Sequence, residues 1–571
     1  MSKPASTDKF ILWPPPKLVV RTSGVQRIRD GQPKIRTTVN PGMAPEAYEL
    51  EITTRQTSVT GGSAAGVEYG LRTLDQLRKQ CGDALPCLRI EDAPDFPVRG
   101  FMLDISRGKV PEPGALRNLV RSLAELKYNH LQLYTEHTFA FRGHEKVWGE
   151  ADALTAKEIV DLQKFCAENH IELSANFNSF GHFERWLKHP DYHHLAESPR
   201  GFTHPIKGKV PHGTTLRPHE DSLKFLNKLW KEYLPLFKSR RFNLGGDEPW
   251  ELGQGWSKEL VKKHGRQRVY LEFLKKLHKQ AAKHGKEMLF WADILLEDPK
   301  LVDEVPADAT ALLWGYEADH PFGEQCARLA AAKRKFWVCP GTSAWNTFTG
   351  RTDNMLANME AAAKHGLASG AEGLLLTSWG DGGNHQPWPI MYPGIAYAAG
   401  LAWNRKGAKR NGVARAVNLT FSQSVNSGYG EILFELGRVE DGIKKTKPNR
   451  SRLYDLFFAK RADLKKELAT LPDAELEKTL ANLDKVRRKL TKVGKKFLWE
   501  FRSMGELELG VDMAIWAIYR AKFSRARKKM KPLEAELPNL VERFMDHWGN
   551  RAREGGLRES AIRMAEIAKE L

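Results

Sequence analysis

Cysteine is scarce in this 571-residue chain: five occur, and only Cys81 and Cys87 lie close together, where we expect two buried thiols, with a bridge as the alternative. Their odd number and wide spacing are typical of neither a disulfide framework nor a zinc cluster. No window holds the roughly 20 consecutive apolar residues that a membrane span requires, and no apolar segment precedes a small-residue cleavage site at the start. We therefore expect a soluble protein, either cytoplasmic or, if a leader is removed, periplasmic or secreted.

Several catalytic signatures are also missing. The sequence has no His-Glu-x-x-His or Cys-x-x-Cys motif, no P-loop, no Gly-rich dinucleotide fingerprint after a strand, and no Gly-x-Ser-x-Gly nucleophile elbow. It therefore predicts a site that uses neither a metal ion nor a cofactor.

Acidic residues are outnumbered, with 70 Asp and Glu against 89 Lys and Arg, which gives a net charge of +19. Such a charge favours attraction to polyanions such as acidic glycans or nucleic acid. Much of the excess lies beyond residue 400 in helical-looking sequence, including the basic run 520–531, and no nucleic-acid-reading motif surrounds that run. We expect a solvated helix face on an appendage, which allows acidic glycans as partners but no specific nucleic acid.

One stretch carries candidate chemistry, RFNLGGDEPW at 241–250. It begins as an apolar strand, and its two glycines allow other atoms to approach the backbone closely. Side chains alternate along a strand, so Asp247 and Glu248 would reach two different atoms of one ligand. The alternative is an ordinary acidic pair in a turn before Pro249.

The stretch belongs to a regular series of eight strand-like runs, each followed by a helical run. The runs are 98–106, 130–137, 171–179, 240–248, 286–293, 309–317, 335–345 and 373–381. This count predicts an α/β fold with a (β/α)8 TIM barrel, in which chemistry occurs at the carboxyl ends of the strands. We predict a small N-terminal α+β domain at 1–93, the barrel at 94–405, and a basic helical C-terminal region at 406–571.

The predicted strand ends are polar or aromatic where a simple core would be apolar. They carry tryptophans at four strands together with acids and amides, a set suited to binding a polar ring by stacking and hydrogen bonds. Taken singly, Asp104 and Arg107 are more typical of an internal ion pair, and His182 of a satisfied core histidine.

Two segments carry a family resemblance. The segment DAPDFPVRGFMLDISR at 92–107 is similar to the first barrel strand of glycoside hydrolase family 20, the β-N-acetylhexosaminidases, and GGDE at 245–248 matches that family's catalytic motif. The strand-like 47–52 and the helical 65–77 look like the small domain that precedes the family's barrel. The resemblance covers about residues 45–405.

The resemblance implies a glycosidase that removes terminal β-linked N-acetylglucosamine or N-acetylgalactosamine from a glycan or glycoconjugate. Glu248 would be the general acid and base, and Asp247 would hold the substrate's 2-acetamido group, which acts as the nucleophile, so that configuration is retained. Substrate-binding roles are implied for Arg99, Glu136, His182, Trp291, Trp314, Trp379 and Asp381.

The sequence also departs from the family pattern. The family usually has histidine where this chain has Asn243, and a strand-seven tyrosine that steadies the acetamido group where this chain has Trp345 and Asn346. We expect Asn346 to supply that hydrogen bond beside Trp345. Two alternatives to an enzyme remain open, namely a non-catalytic sugar-binding relative and a polyanion-binding protein with a vestigial barrel.

Overall fold

The computed structural model describes residues 10–28, 35–205, 208–422, 424–494 and 501–571. The N-terminal domain consists of β1 (Leu18–Arg27), β2 (Ile35–Val39), β3 (Tyr48–Ile52), β4 (Thr57–Gly61), α1 (Ala64–Cys81) and β5 (Ala84–Asp92). The strand order is β1-β5-β3-β4-β2, and neighbours are antiparallel except for β2 and β4. The alternation expected at 47–52 is present, because Tyr48, Leu50 and Ile52 are buried.

Ten further strands follow, of which eight close into a parallel barrel and two form a hairpin inserted after the third barrel strand. They are β6 (Val98–Asp104), β7 (His130–Tyr134), β8 (Glu172–Asn176), the hairpin β9 (Phe202–His204) and β10 (Gly208–Val210), β11 (Arg241–Asn243), β12 (Glu287–Trp291), β13 (Thr310–Trp314), β14 (Lys335–Cys339) and β15 (Gly373–Ser378). Each barrel strand lies inside its expected run, and the predicted (β/α)8 barrel is confirmed.

Helices fill the connections between barrel strands. They are α2 (Pro113–Glu125), α3 (Glu145–Trp148), α4 (Ala156–Glu168), α5 (Glu184–Leu187), α6 (Glu220–Tyr233), α7 (Lys258–His264), α8 (Arg266–Lys283), α9 (Asp293–Leu296), α10 (Pro299–Val302), α11 (Phe322–Ala331), α12 (Thr352–Ala368) and α13 (Tyr392–Asn404). Local sequence sets several starts: Pro113 opens α2, and Thr155 and Glu158 form a capping box at α4.

The C-terminal region is helical. Its helices are α14 (Arg410–Phe421), α15 (Tyr429–Leu436), α16 (Arg452–Phe458), α17 (Arg461–Ala469), α18 (Asp473–Gly494), α19 (Phe501–Arg525), α20 (Lys531–Trp548) and α21 (Leu557–Ala565). The expectation of an appendage was wrong, because this region shares one continuous hydrophobic core with the barrel. A backbone bridge between Pro111 and Ala552 also ties it to the loop after β6.

The basic run 520–531 is only partly the solvated face that we expected. Arg520 is fully buried, and its guanidinium donates to the carbonyls of Leu456 and Phe457 at 2.9 Å. Lys522 pairs with Glu477 at 2.6 Å, whereas residues 526–529 are exposed. Within the described ranges, no helix has the length and apolarity needed to cross a membrane.

Arg99 lies at the amino end of β6, opposite the end where barrel sites form. Its guanidinium is 1% exposed and pairs with Glu46 of the N-terminal domain at 2.6 Å. It also donates to Tyr69 Oη at 3.2 Å and to the Lys127 carbonyl at 2.9 Å. The expectation that Arg99 holds sugar hydroxyls was therefore wrong, because the residue fastens the N-terminal domain to the barrel.

Candidate functional site

The acidic stretch follows β11 at the carboxyl end of the barrel. Gly245 and Gly246 both have left-handed φ angles, of 78° and 95°. A Cβ at Gly245 would collide with Asn178 Oδ1, so only glycine fits this position. The glycine pair turns the chain so that Asp247 and Glu248 follow directly at the end of the fourth barrel strand.

Asp247 is buried, and its two carboxylate oxygens have different surroundings. Oδ2 lies 3.2 Å from His182 Nε2. Oδ1 has no hydrogen-bond partner among the residues that the structure describes. A buried acceptor of this kind is costly unless it is satisfied, so Oδ1 is available for a donor on a bound ligand.

Glu248 has a partly buried carboxyl whose pKa is raised. Burial raises its pKa, the charge of His182 opposes that shift, and the charges of Asp247 and Asp381 add to it. Its Oε2 lies 3.7 Å from His182 Nε2, and its own φ of 47° shows that the backbone is strained here. A carboxyl with a raised pKa beside a fixed carboxylate is the arrangement that general acid catalysis needs.

His182 connects three strand ends. Besides Asp247, its Nδ1 lies 3.8 Å from Glu136 Oε1 at the end of β7. Burial lowers the pKa of His182, but the charges of Asp247 and Glu136 outweigh that effect and raise the pKa to about 9. The ring is therefore a cation at neutral pH and belongs to the site.

Arg107 is the arginine that reaches this site. Its Nη1 lies 3.2 Å from Asp104, its Nη2 3.1 Å from Glu136, and its Nε 3.9 Å from Asp381. Its guanidinium also lies over the ring of Trp379, 5.2 Å from the centroid. The sequence predicted an internal ion pair for Arg107. Because Arg107 follows the carboxyl end of β6, its side chain instead lies beside the ends of the other barrel strands.

Glu136 and Asp381, both predicted, are brought to the same network. Glu136 is buried, and its Oε1 accepts a hydrogen bond from Tyr134 Oη at 2.9 Å. Asp381 is 43% exposed and has only its weak contact with Arg107 among the described ion pairs. Asp381 is therefore free to bind ligand hydroxyls.

The predicted tryptophans divide into two layers. Trp314 and Trp379 are partly exposed and present ring surface, whereas Trp291 and Trp345 are 1% and 2% exposed and lie beneath. Trp291 supports Trp379 at 6.1 Å between ring centroids. The expectation that Trp291 and Trp345 contact the sugar directly was therefore wrong, because their rings are covered by other side chains.

Tyr316 is a site residue that sequence reasoning missed. It stacks on Trp314 at 5.3 Å, meets Trp345 edge-on at 5.0 Å, and accepts a hydrogen bond from Trp379 Nε1 at 2.8 Å. Burial raises its pKa well above 10, so the phenol keeps its proton and can donate it. The sequence feature that could have identified Tyr316 is the alternation in WGYE at 314–317. In an extended chain, the side chains of Trp314 and Tyr316 lie on the same side.

Asn346 does not take the role expected of it. Its side-chain Nδ2 donates to the Asn449 carbonyl at 3.3 Å, and its backbone carbonyl accepts from the Ser451 N–H at 3.0 Å. Both partners belong to the C-terminal region, so this side chain is used to hold a loop. Its φ of 51° is consistent with a turn at which asparagine is favoured.

Asp293 is a third acid that sequence reasoning did not assign. Its Oδ2 accepts from the Glu248 N–H and its Oδ1 from Trp314 Nε1, both at 3.4 Å. Burial raises its pKa to about 8, and the charges of Asp247 and Glu248 add to the shift. Asp293 is therefore largely protonated at neutral pH and links the acidic stretch to the aromatic wall.

These observations define a (β/α)8 barrel with an acidic, aromatic-walled site at its carboxyl end. Residues 96–345 match the model of the glycosyl hydrolase family 20 catalytic domain, and residues 17–93 match that family's domain 2. The chain belongs to glycoside hydrolase family 20.

Among curated proteins, the chain is 27% identical over 282 residues to a β-hexosaminidase of Akkermansia muciniphila, covering 44% of this chain and 56% of that protein. It is 27% identical over 236 residues to human hexosaminidase D, covering 39% and 46%. The chain thus spans about half the length of these curated relatives.

Solved structures show the same fold. The Flavobacterium johnsoniae chitobiase superposes with a TM-score of 0.58 at 18% identity, covering 96% of this chain and 98% of that one. A family 20 exo-β-N-acetylglucosaminidase of Vibrio harveyi gives 0.59 at 18% identity, covering 78% and 80%.

Proposed function

We propose that the protein is a β-N-acetylhexosaminidase that removes terminal β-linked N-acetylglucosamine or N-acetylgalactosamine from glycans with retention of configuration. The observation that carries the proposal is the buried Oδ1 of Asp247, which has no hydrogen-bond partner in the described structure, beside the Glu248 carboxyl, whose pKa is raised by burial. The carboxylate can accept the N–H of a 2-acetamido group while the carboxyl protonates the leaving group.

In the first step, Glu248 transfers its proton to the glycosidic oxygen as the bond from that oxygen to C1 breaks. The acetamido carbonyl oxygen forms a new bond to C1 and gives an oxazolinium ring. Asp247 accepts the amide N–H and stabilises the positive charge through a charge-assisted hydrogen bond in a largely buried site. His182, as a cation, lies 3.2 Å from Asp247 Oδ2 and fixes the orientation of that carboxylate.

In the second step, the Glu248 carboxylate takes a proton from water, whose oxygen attacks C1 and reopens the ring. Two displacements at C1 leave the configuration retained. Glu248 alone gives and takes a proton, whereas Asp247 only holds the acetamido N–H. This division agrees with a mechanism in which the substrate supplies the nucleophile.

The remaining residues supply binding. Arg107 and Asp381 face the outer part of the site and suit sugar hydroxyls, while Trp314 and Trp379 offer apolar ring surface. Tyr316, which sits between the two tryptophans, is placed to donate to the acetamido carbonyl. The net charge of +19 supports acidic glycans among the substrates.

The test is a panel of nitrophenyl β-glycosides comprising the N-acetylglucosaminide, N-acetylgalactosaminide, glucoside and galactoside. We expect hydrolysis of the N-acetylated sugars alone, because the other two lack the internal nucleophile. A thiazoline analogue of N-acetylglucosamine should inhibit competitively. Equal turnover of the glucoside, or no inhibition, would indicate a protein nucleophile instead.

A further inference from the structure

The C-terminal region lies beyond the matched family domains, yet it contacts the loops after three adjacent barrel strands. After β13, Glu317 Oε1 accepts from the Asn449 N–H at 2.8 Å. After β14, Asn346 binds Asn449 and Ser451 as described above. The third contact, with the loop after β15, is the most extensive.

This third loop, residues 379–386, includes both Trp379 and Asp381 and is called the strand-eight loop here. Its successive carbonyls are held by side chains that donate to them. The contacts are Tyr454 Oη at 3.1 Å and Arg563 Nη1 to the Gly382 carbonyl, Ser560 Oγ to Gly383 at 2.7 Å, and Lys109 Nζ to Asn384 at 3.2 Å. All of these donors except Lys109 belong to the C-terminal region.

His385, a residue of the strand-eight loop, contacts the same two residues of the C-terminal region, Tyr454 and Ser560. It is buried, and its Nε2 and Nδ1 lie 3.0 Å from the Ser560 carbonyl and 3.3 Å from Tyr454 Oη. Burial lowers its pKa to about 3, so the ring is neutral and has one N–H. Nε2 donates to the Ser560 carbonyl, so Nδ1 is an acceptor, and the single Tyr454 proton alternates between Nδ1 and the Gly382 carbonyl. Its ring packs against Phe458 at 4.7 Å between centroids.

Within the strand-eight loop, the Asn384 N–H donates to the Gly380 carbonyl and Gln386 Nε2 to the Trp379 carbonyl, both at 2.9 Å, but the carbonyls of 382–384 are held by the contacts above. Gly382, Gly383 and Asn384 have left-handed φ angles of 77°, 102° and 56°. Glycine has the largest backbone entropy in the absence of such contacts. The Asp381 side chain has no hydrogen bond in the described structure that would hold it, so its position depends on the backbone of this loop.

We propose that Tyr454 and Ser560 are positioning residues of the sugar site: they clamp the strand-eight loop and thereby set Asp381 for sugar binding. The C-terminal helices are then part of the substrate site rather than an addition to it. The role in sugar binding rests on the proposed function, whereas the clamp itself is a property of the fold.

The experiment uses the full-length double variant Tyr454→Phe with Ser560→Ala, which removes two hydroxyl groups and little packing. With a nitrophenyl N-acetylhexosaminide, we expect KM to rise about tenfold, the size of one or two lost hydrogen bonds, and kcat to stay within about threefold. In an Asp381→Ala background the same double change should alter KM less than about twofold, because residues acting through one partner are not additive.

Amide hydrogen exchange of residues 379–386 gives a second readout that does not depend on activity. We expect exchange in this peptide to accelerate about tenfold or more in the double variant, since local opening is governed by such contacts. The matched controls are Tyr519→Phe and Arg558→Ala, exposed residues on α19 and α21, which should leave both readouts unchanged.

The outcomes are distinct. If the wild type is active and the double variant has the same KM and the same exchange rate, the inference is overturned. It is also overturned if the double change raises KM as much in the Asp381→Ala background as in the wild type. A wild type that hydrolyses no N-acetylhexosaminide refutes the proposed function. In that case unchanged exchange at 379–386 refutes the clamp, and accelerated exchange supports it.

Discussion

His182 and Asp247 are joined by a 3.2 Å contact between Nε2 and Oδ2, which connects the ends of the third and fourth barrel strands. The two residues affect Glu248 in opposite directions. The negative charge of Asp247 raises the pKa of Glu248, and the positive charge of His182 lowers it. Substitutions at the two positions should therefore be distinguishable by their pH profiles.

Since Glu248 must be protonated to act as an acid, kcat/KM should fall as the pH rises through its pKa. Asp247→Asn removes the charge that raises this pKa, so the alkaline limb should move to lower pH. His182→Asn removes the opposing charge, so the limb should move to higher pH. The measurement is a pH profile on an unactivated disaccharide, and limbs that move in the same direction would contradict these assignments.

Replacing Glu248 by glutamine removes the transferable proton and keeps the side-chain shape. We expect kcat on unactivated substrates to fall by roughly 10²- to 10⁴-fold, the usual contribution of a general acid. Glu259→Gln, an exposed position on α7, serves as the matched control and should retain full activity. Wild-type turnover by the Glu248 variant would refute the role given to this residue.

Arg99 lies at the start of β6 and Arg107 just beyond its end, so their lysine variants should behave differently. Arg107→Lys loses the guanidinium that lies near Asp381 and that the proposed function assigns to sugar hydroxyls, so KM should rise about 10- to 100-fold. Arg99→Lys loses hydrogen bonds to Glu46 and Tyr69, so the free energy of unfolding should fall by about 1–3 kcal/mol while kcat/KM stays unchanged. Steady-state kinetics and denaturant unfolding of both variants test this pair.

Tyr316→Phe tests whether the strand-six hydroxyl serves the acetamido group. The change removes one buried donor and should lower kcat/KM about 10- to 100-fold on N-acetylated substrates. Affinity for the thiazoline analogue should fall in parallel, because that compound resembles the cyclised acetamido group. A variant that loses activity but binds the thiazoline normally would assign Tyr316 to wall packing alone.

Glu251 gives a prediction about stability. It is fully buried near Glu197, and its Oε1 accepts from the Thr214 N–H at 2.9 Å while its Oε2 has no partner in the described structure. Burial raises its pKa to about 8. The folded state therefore holds a proton that the unfolded chain releases near pH 4.5, and stability falls as the pH rises from about 4.5 to 8.

Glu251→Gln removes this titration and keeps an acceptor for Thr214. Relative to wild type, the variant should gain stability on going from pH 5 to pH 9, by an amount on the order of a few kcal/mol. Melting temperatures of both proteins at the two pH values measure the difference. An equal pH response in the two proteins would show that Glu251 is already ionised in the fold.

The fold was largely predictable because hydrophobic periodicity is a local property. All eight barrel strands lie within their expected runs, and the adjacency of Asp247 and Glu248 at a strand end was visible in RFNLGGDEPW. The assignment of the C-terminal helices to an appendage failed because their contacts with the barrel are made by residues hundreds of positions apart. Arg553, which donates to the Ala153 carbonyl 400 positions earlier, belongs to one such pair.

Side-chain placement within the site was harder to predict. Arg99 and Arg107 lie on one short segment, and which arginine faces the ligand depends on which end of β6 it occupies. Trp291 and Trp345 have the same residue type as Trp314 and Trp379 but lie one layer deeper, and burial of that kind is decided by neighbours on other strands. Hydrophobic periodicity therefore predicts where a strand runs, but it does not predict how deeply each side chain of that strand is buried.

The position of Tyr316 has a consequence for how members of such a family are compared. Adjacent strands of a sheet are about 4.8 Å apart, which is less than the length of a tyrosine side chain. A phenol can therefore be delivered to one point in the cavity from either of two neighbouring strands. During evolution, a tyrosine can therefore be lost from one barrel strand and gained on its neighbour. The chemistry of the cavity stays the same, because the hydroxyl group still reaches the same point.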